Sequence, residues 1–271
     1  MMILVNGAES DALPAADRGL AYGDGVFRTL AIRGGRPRSW TRQYRKLAGD
    51  CAALAIPSPA EEVLRGELAQ VAKREPDCAA KIIVTRGIGQ RGYAPPSPLH
   101  PTRIVMSAAP LRYPVEFARA GVKVHLCSLR LGFQPALAGV KHLNRLENVL
   151  ARSEWSAPDI AEGLLLDAEG NAIAGTMTNL FIIEGGGLAT PDLGRCGVAG
   201  VTRERVVEAA ARHGMACRVE HVSLDRVLQA QEVLLVNSLI GVWQVRELSD
   251  RTWQPGVLVS GVREWLHEED D

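Results

Sequence analysis

The chain begins with a short apolar run, Met1 to Val5, that turns at Asn6-Gly7. That is the pattern of a strand entering a turn. From Thr41 to Ala55 the period lengthens, and Tyr44, Leu47, Ala48, Cys51 and Leu54 fall on one face of a helix. Ser58-Pro59-Ala60-Glu61 reads as a capping box with proline at the first helical position. The helix it opens carries Val63, Leu64, Leu68, Val71 and Ala72. Lys81 to Thr85 and Arg103 to Ala108 are short and β-branched, as strands are. Between them, four prolines from Gly92 to Pro101 make a loop.

Periodicity lapses from Leu111 to Ala118, which places a domain boundary there. Val122, Val124 and Leu126 then alternate with Lys123, His125 and Cys127, a half-buried strand. Leu143, Leu146, Val149 and Leu150 repeat at helical spacing through Arg152. Later strands are expected at Leu164–Leu166, Asn179–Ile183, Val233–Val236 and Val242–Val245, and helices at Thr202–His213 and Val257–Leu266. This order fits two α+β domains with mixed sheets better than a regular βαβ series. The smaller domain spans 1–112 and the larger 118–271.

Composition narrows the class. The 271 residues are 46% hydrophobic, enough for a sizeable core, and 31 basic residues balance 31 acidic ones. A nucleic-acid binder carries a basic excess or stripe, and none is visible. Five widely spaced cysteines without a CxxC pair, and six histidines without HExxH, point to neither a disulfide framework nor a metal. No signal peptide or membrane-length apolar run is seen, so the reading is a soluble cytoplasmic protein. The acidic run Glu268–Asp271 reads as a solvated end.

Three segments could carry chemistry. Gly87-Ile88-Gly89-Gln90-Arg91-Gly92 matches GxGxxG after a strand, but a proline-rich loop follows instead of the helix that would hold a pyrophosphate. The segment reads instead as a tight loop presenting Arg86 and Arg91 to an anion, or as a surface turn. Gly194 to Gly200 is a glycine-punctuated loop leading to a helix opened by Thr202, a junction suited either to a phosphate or to ordinary capping. Val140-Lys141-His142-Leu143-Asn144-Arg145 is a basic turn; its lysine becomes a nucleophile only if burial or a cationic neighbour activates it.

Together with other segments, these resemble a known family. Asp17 to Phe27 resembles the N-terminal signature of class IV aminotransferases and their relatives. Thr85–Tyr93, Ala138–Glu147, Gly197–Arg203 and Asn237–Trp243 are similar to the aminodeoxychorismate lyase group within it, in the right order along the chain. The resemblance implies the fold-type IV architecture of pyridoxal 5'-phosphate enzymes, as in D-amino acid and branched-chain aminotransferases. It also implies a homodimer acting on a small-molecule substrate, with the cofactor between the two domains. Lys141 would be the Schiff-base lysine and the general base. Val201, Thr202 and Ser238 would hold the cofactor phosphate, and Arg91 and Tyr93 a substrate carboxylate. The implied reaction is loss of pyruvate from 4-amino-4-deoxychorismate to give 4-aminobenzoate, a folate precursor.

Four positions depart from the family pattern. Arg28 stands where glutamate is usual, and Gln43 and Lys46 stand in an HxxRL segment whose arginine binds phosphate. Lys46 can neutralise phosphate without the arginine fork, and Arg45 is an alternative one residue out of register. Ala174 replaces the glutamate that keeps the pyridine nitrogen protonated. That loss weighs more against transamination than against the lyase reaction, which gains aromaticity as it proceeds. The alternatives are a fold-type IV aminotransferase for branched-chain or D-amino acids, and a weakened relative with a binding role.

Overall fold

The computed structural model describes residues 1–110 and 112–268. They form two compact units, one made of Met1–Arg112 with Val140–Asn144, the other of Tyr113–Gly139 with the described chain from Arg145 to Glu268. Residues 269–271 of the acidic run lie outside the described residues.

The first unit contains β1 (Ile3–Val5), β2 (Ala8–Glu9), α1 (Arg18–Tyr22), β3 (Gly25–Arg33) and β4 (Arg36–Pro37). It continues with α2 (Trp40–Ala53), α3 (Glu61–Arg74), β5 (Cys78–Thr85) and β6 (Thr102–Ala108). Its strands make one antiparallel sheet in the order β2-β1-β6-β5-β3-β4. Leu47 and Cys51 of α2 and Leu64, Leu68 and Val71 of α3 pack on Val26, Leu30, Ile32, Ile82 and Val84. Because side chains alternate along a strand, Val26, Arg28, Leu30 and Ile32 share the helix-covered face of β3, and Phe27 and Thr29 point the other way.

The Ser58 capping box does not form. Ala60 is the residue before the helix, its backbone still extended, and no side chain caps it. Ser58 Oγ turns instead to Pro59 O at 3.2 Å. Glu61 takes the indole N–H of Trp40 at 2.8 Å, so its carboxylate ties α3 to α2 rather than closing a cap.

The second unit contains α4 (Val115–Ala120), β7 (Val122–Leu131), α5 (Leu146–Arg152), β8 (Ile160–Asp167) and β9 (Ala172–Gly175). Then come β10 (Asn179–Glu184), β11 (Gly187–Pro191), α6 (Val201–Arg212), β12 (Cys217–Glu220) and α7 (Leu224–Gln229). The last elements are β13 (Glu232–Asn237), β14 (Gly241–Leu248), β15 (Arg251–Thr252) and α8 (Leu258–Glu268). The strand order is β12-β11-β10-β13-β14-β7-β8-β9, and β9 pairs back onto β10, so six of these strands close into a ring. Leu180 and Ile182 face one apolar cluster with Val124, Leu164, Leu235 and Trp243. Phe181 and Ile183 alternate into another with Val206 of α6 and Val262 of α8. Both faces of β10 are therefore buried, which explains its unbroken apolar run.

Helix α5 starts at Leu146, not Leu143, because Leu143 is engaged with Gly25 in the first unit. The apolar positions that mark the helix are exposed: Leu146, Val149 and Leu150 are 74%, 60% and 58% accessible.

Glu154 fixes the middle of β7. Its carboxylate accepts the N–H groups of Ser128 at 2.7 Å and Leu129 at 2.9 Å, and lies 3.1 Å from His125 Nε2. Burial pushes its pKa up, but these donors outweigh it and lower the pKa from 4.5 to about 2. A lowered carboxylate stabilises the fold above its unfolded pKa, and that contribution is lost as pH falls through the folded value. Urea midpoints measured from pH 5 to pH 2 should therefore fall less steeply for Glu154→Gln than for wild type between 4.5 and about 2. Parallel curves would contradict this assignment.

Candidate active site

In the first unit, residues 141–143 lie as an extra edge segment beside the start of β3. Phe27 N–H donates to Lys141 O at 2.9 Å, Leu143 N–H donates to Gly25 O at 2.9 Å, and Val26 is bridged to His142. Gly23, which ends α1 at φ 63°, lets the chain pass close to this segment: a Cβ there would lie 2.3 Å from Asn144 Oδ1. Lys141 thus stands on a backbone held at several points, and its Nζ lies 4.7 Å from the centre of the Phe27 ring.

The same ring receives a second cation, with Lys81 Nζ also 4.7 Å from its centre. Lys81 on β5 is paired with Thr29 and so shares the face of Phe27. Burial pushes its pKa down. Two ammonium groups on one aromatic ring make this sheet face attractive to anions.

Arg28 points to the opposite face, where it is buried against Asp50 of α2 and forms an ion pair with it. Asp50 also accepts the backbone N–H of Lys141 at 3.3 Å. Lys46, half-buried one turn earlier on α2, lowers the pKa of this carboxyl through its charge, although burial, the larger effect, leaves that pKa raised. Arg45 is exposed.

Arg86 is not presented to solvent. It is buried, its Nε on Asp24 at 2.8 Å and its Nη atoms on the carbonyls of Leu54 and Ala55. Arg18 shares Asp24 and donates to the carbonyls of Gly92 and Tyr93 at 3.0 Å each. Burial raises the Asp24 pKa, and the hydrogen bonds and charges of these two arginines overcome that and lower it. The Arg18 bonds pin the loop that exposes Arg91 and Tyr93, the latter 86% accessible. Of the two arginines expected at an anion, only Arg91 is available.

In the second unit, three loops are stitched together. Asn179 donates to Val198 O at 2.8 Å and accepts Gly200 N–H at 3.1 Å. Asn237 donates to Met177 O at 3.2 Å and accepts the N–H groups of Leu239 and Ile240 at 2.9 Å. Glu162, fully buried, accepts the N–H groups of Thr176 and Met177 and the hydroxyls of Thr176 and Thr178. Burial raises its pKa even so. Gly197, at φ 87°, allows the last turn before α6; a Cβ there would press within 3 Å of Ile173 and Leu193.

This network presents the N-terminus of α6. Gly200 precedes the helix and no side chain caps it, so the first-turn N–H groups of Val201, Thr202 and Arg203 are left for an anion. Thr202 Oγ1 lies 3.5 Å from Ser238 Oγ at the same place. Arg203 turns away to Thr190 Oγ1 and Pro191 O. The cradle has the donors a phosphate monoester requires. Ala174, in β9, is buried among Leu165, Ile173, Leu193 and Cys196 and offers no polar atom. The structure puts Glu169, the nearest acid along the chain, in an exposed ion pair with Arg195.

Sequence reasoning missed Asp50, Lys81 and Glu162. Once β3 is placed, a signal for Asp50 follows: Val26, Leu30 and Ile32 put Arg28 on the buried face, where it requires an acid. Likewise Glu162 is a carboxylate inside the apolar run Ile160–Leu166.

Residues 25–248 match the family model for class IV amino-transferases. An aminodeoxychorismate lyase from Vibrio harveyi is 33% identical over 248 residues, 92% of each chain. A putative branched-chain-amino-acid aminotransferase from Methanocaldococcus jannaschii is 30% identical over 259 residues, covering 93% of this chain and 89% of that one. The solved structure of 4-amino-4-deoxychorismate lyase from Pseudomonas aeruginosa superposes with a TM-score of 0.95 at 44% identity, covering 98% of both chains.

Proposed function

Since the chain belongs to the class IV aminotransferase family, we propose that it is a carbon–oxygen lyase that removes pyruvate from 4-amino-4-deoxychorismate, leaving 4-aminobenzoate for folate synthesis. The observation that carries this reading is the lysine, Lys141, held by its backbone and facing an anion-attracting sheet face.

Pyridoxal 5'-phosphate, when bound, supplies the carbonyl that takes the substrate's amine and an electron sink for the neighbouring C–H bond. Lys141 would hold it covalently. The first-turn N–H groups at Val201 and Thr202, with the hydroxyls of Thr202 and Ser238, would hold its phosphate, and Lys46 would lend a point charge. Lys141 Nζ would take the proton from the amine-bearing ring carbon of the substrate. Loss of that proton and cleavage of the bond from the ring to the enolpyruvyl oxygen would make the ring aromatic, and the enolpyruvate that leaves becomes pyruvate on taking up a proton at its methylene carbon. The substrate carries two carboxylates, and Arg91, Tyr93 and Lys81 supply donors for them.

Ala174 argues for elimination over transamination. By the family resemblance position 174 faces the cofactor's ring nitrogen, and the buried alanine there would leave that nitrogen without a carboxylate and weaken the electron sink. Aromatisation offsets that loss in the lyase reaction, and transamination has no such compensation. The exposed stripe of Leu146, Val149 and Leu150 supports a homodimer, since an apolar helix face of this kind is normally covered by a partner. All five cysteines are free, and four of them are buried, which suits a reducing cytoplasm. Among the described residues no helix is long and apolar enough to cross a membrane.

Purified protein with pyridoxal phosphate and 4-amino-4-deoxychorismate should release pyruvate and 4-aminobenzoate in equal amounts without an added 2-oxo acid. Turnover that requires 2-oxoglutarate would replace this reading with the aminotransferase one.

A further inference from the structure

Arg28 and Asp50 form a buried pair within the first unit, and the pair is poorly explained as a stabilising device. Exchanging buried ion pairs for apolar residues is often neutral or favourable, because desolvation offsets the attraction. This pair is also incomplete: Arg28 Nε is buried with no hydrogen-bond acceptor among the described residues. A buried donor left unmade costs stability. The geometry supplies another role, because the Asp50 oxygen that takes the guanidinium is also the acceptor for Lys141 N–H at 3.3 Å.

The two backbone polar groups of Lys141 are therefore claimed from two elements. Its carbonyl accepts Phe27 N–H of β3 at 2.9 Å, and its N–H donates to Asp50 of α2. Both anchors lie on Lys141 itself. Together they fix the direction in which its side chain leaves the backbone, toward the Phe27 ring. Arg28 acts one step behind: burial raises the Asp50 pKa, and the guanidinium opposes that and holds the carboxylate oxygen turned toward Lys141. We propose that Arg28 and Asp50 are a positioning pair for the nucleophilic lysine, setting Lys141 for attack on the cofactor carbonyl rather than merely stabilising the fold. The proposal rests on Lys141 being the cofactor lysine.

Two double variants separate positioning from stability. Arg28→Met with Asp50→Asn removes both charges but keeps an amide oxygen to accept Lys141 N–H. Arg28→Met with Asp50→Leu removes the acceptor as well. Each is mixed with pyridoxal phosphate, trapped with borohydride over time, and measured alongside its thermal midpoint.

We expect the asparagine variant to trap cofactor at a rate between those of wild type and the leucine variant, because its amide oxygen still accepts the Lys141 N–H while Arg28 no longer orients it. The leucine variant should melt close to wild type yet trap at least about tenfold more slowly, the scale of one lost charge-assisted hydrogen bond. Wild-type rates in both variants would overturn the proposal and leave the function intact. No trapping by the wild type would instead overturn the reading it rests on. Should the leucine variant not fold, residue-resolved hydrogen exchange on the wild-type protein decides the question. The Lys141 amide should exchange far more slowly than the exposed loop at 90–94, and exchange at the loop's rate would overturn the proposal.

Discussion

Lys141→Ala should leave a folded protein that no longer acquires a borohydride-reducible visible absorbance with pyridoxal phosphate. Turnover should fall at least about ten-thousandfold, since the proton transfer alone accounts for about a hundred- to ten-thousandfold and the covalent attachment is lost as well. The backbone bonds to Phe27 and Asp50 do not involve the side chain that is removed, so the fold should survive. The contact with the Phe27 ring is of a kind worth about 0.5–1 kcal/mol at partly exposed sites. Circular dichroism and a thermal midpoint close to wild type would therefore accompany the loss. A variant that stays coloured and active would show that another group carries the chemistry.

The second large effect is expected from a gain. Ala174→Glu places a carboxylate among Leu165, Ile173, Leu193 and Cys196, where nothing now pairs with it. An uncompensated buried charge costs about 3–5 kcal/mol, or its pKa rises until it is neutral. Without cofactor the variant should melt several degrees lower than wild type. On the proposed placement of position 174 beside the cofactor, the ring nitrogen would give that carboxylate a partner, so the stabilisation by pyridoxal phosphate should exceed the wild-type gain and turnover should rise. Thermal midpoints measured with and without pyridoxal phosphate test this. An equal gain in both proteins would mean that position 174 does not face the ring nitrogen.

These expectations rest on features that differ in how openly the sequence displays them. Strands such as β5, β6 and β13 declare themselves because β-branched residues gather in short runs bounded by turns. The pattern does not single out β3, because Ala31 beside Leu30 and Ile32 blurs its alternation and Arg28 interrupts its apolar face. Helix α5 is misjudged at its start because Leu143 has the right period but a different job, pairing with Gly25 across a long stretch of sequence. Local spacing has no access to that pairing. The same limit applies to Ser58, whose capping pattern is correct in letters while the backbone stays extended through Ala60.

The site shows a similar division. Motifs single out Lys141, Thr202 and Ser238, but nothing in their spacing says that Asp50 accepts the lysine's amide or that Lys81 shares its aromatic ring. Those facts come from strand register and from which face of a strand a helix covers. Arg28 is instructive because it looks like a defect when compared with the family pattern. In the structure it is matched by an acid from α2, and that acid in turn holds the backbone of Lys141.

The central claim is that Lys141, among all the lysines of this chain, bonds to the cofactor. Wild-type protein treated with pyridoxal phosphate and borohydride, then digested and mapped by mass spectrometry, tests it directly. The account predicts one phosphopyridoxyl group per chain, on the peptide containing Lys141. A label on Lys81, the other ammonium over Phe27, or scattered over surface lysines, would contradict it.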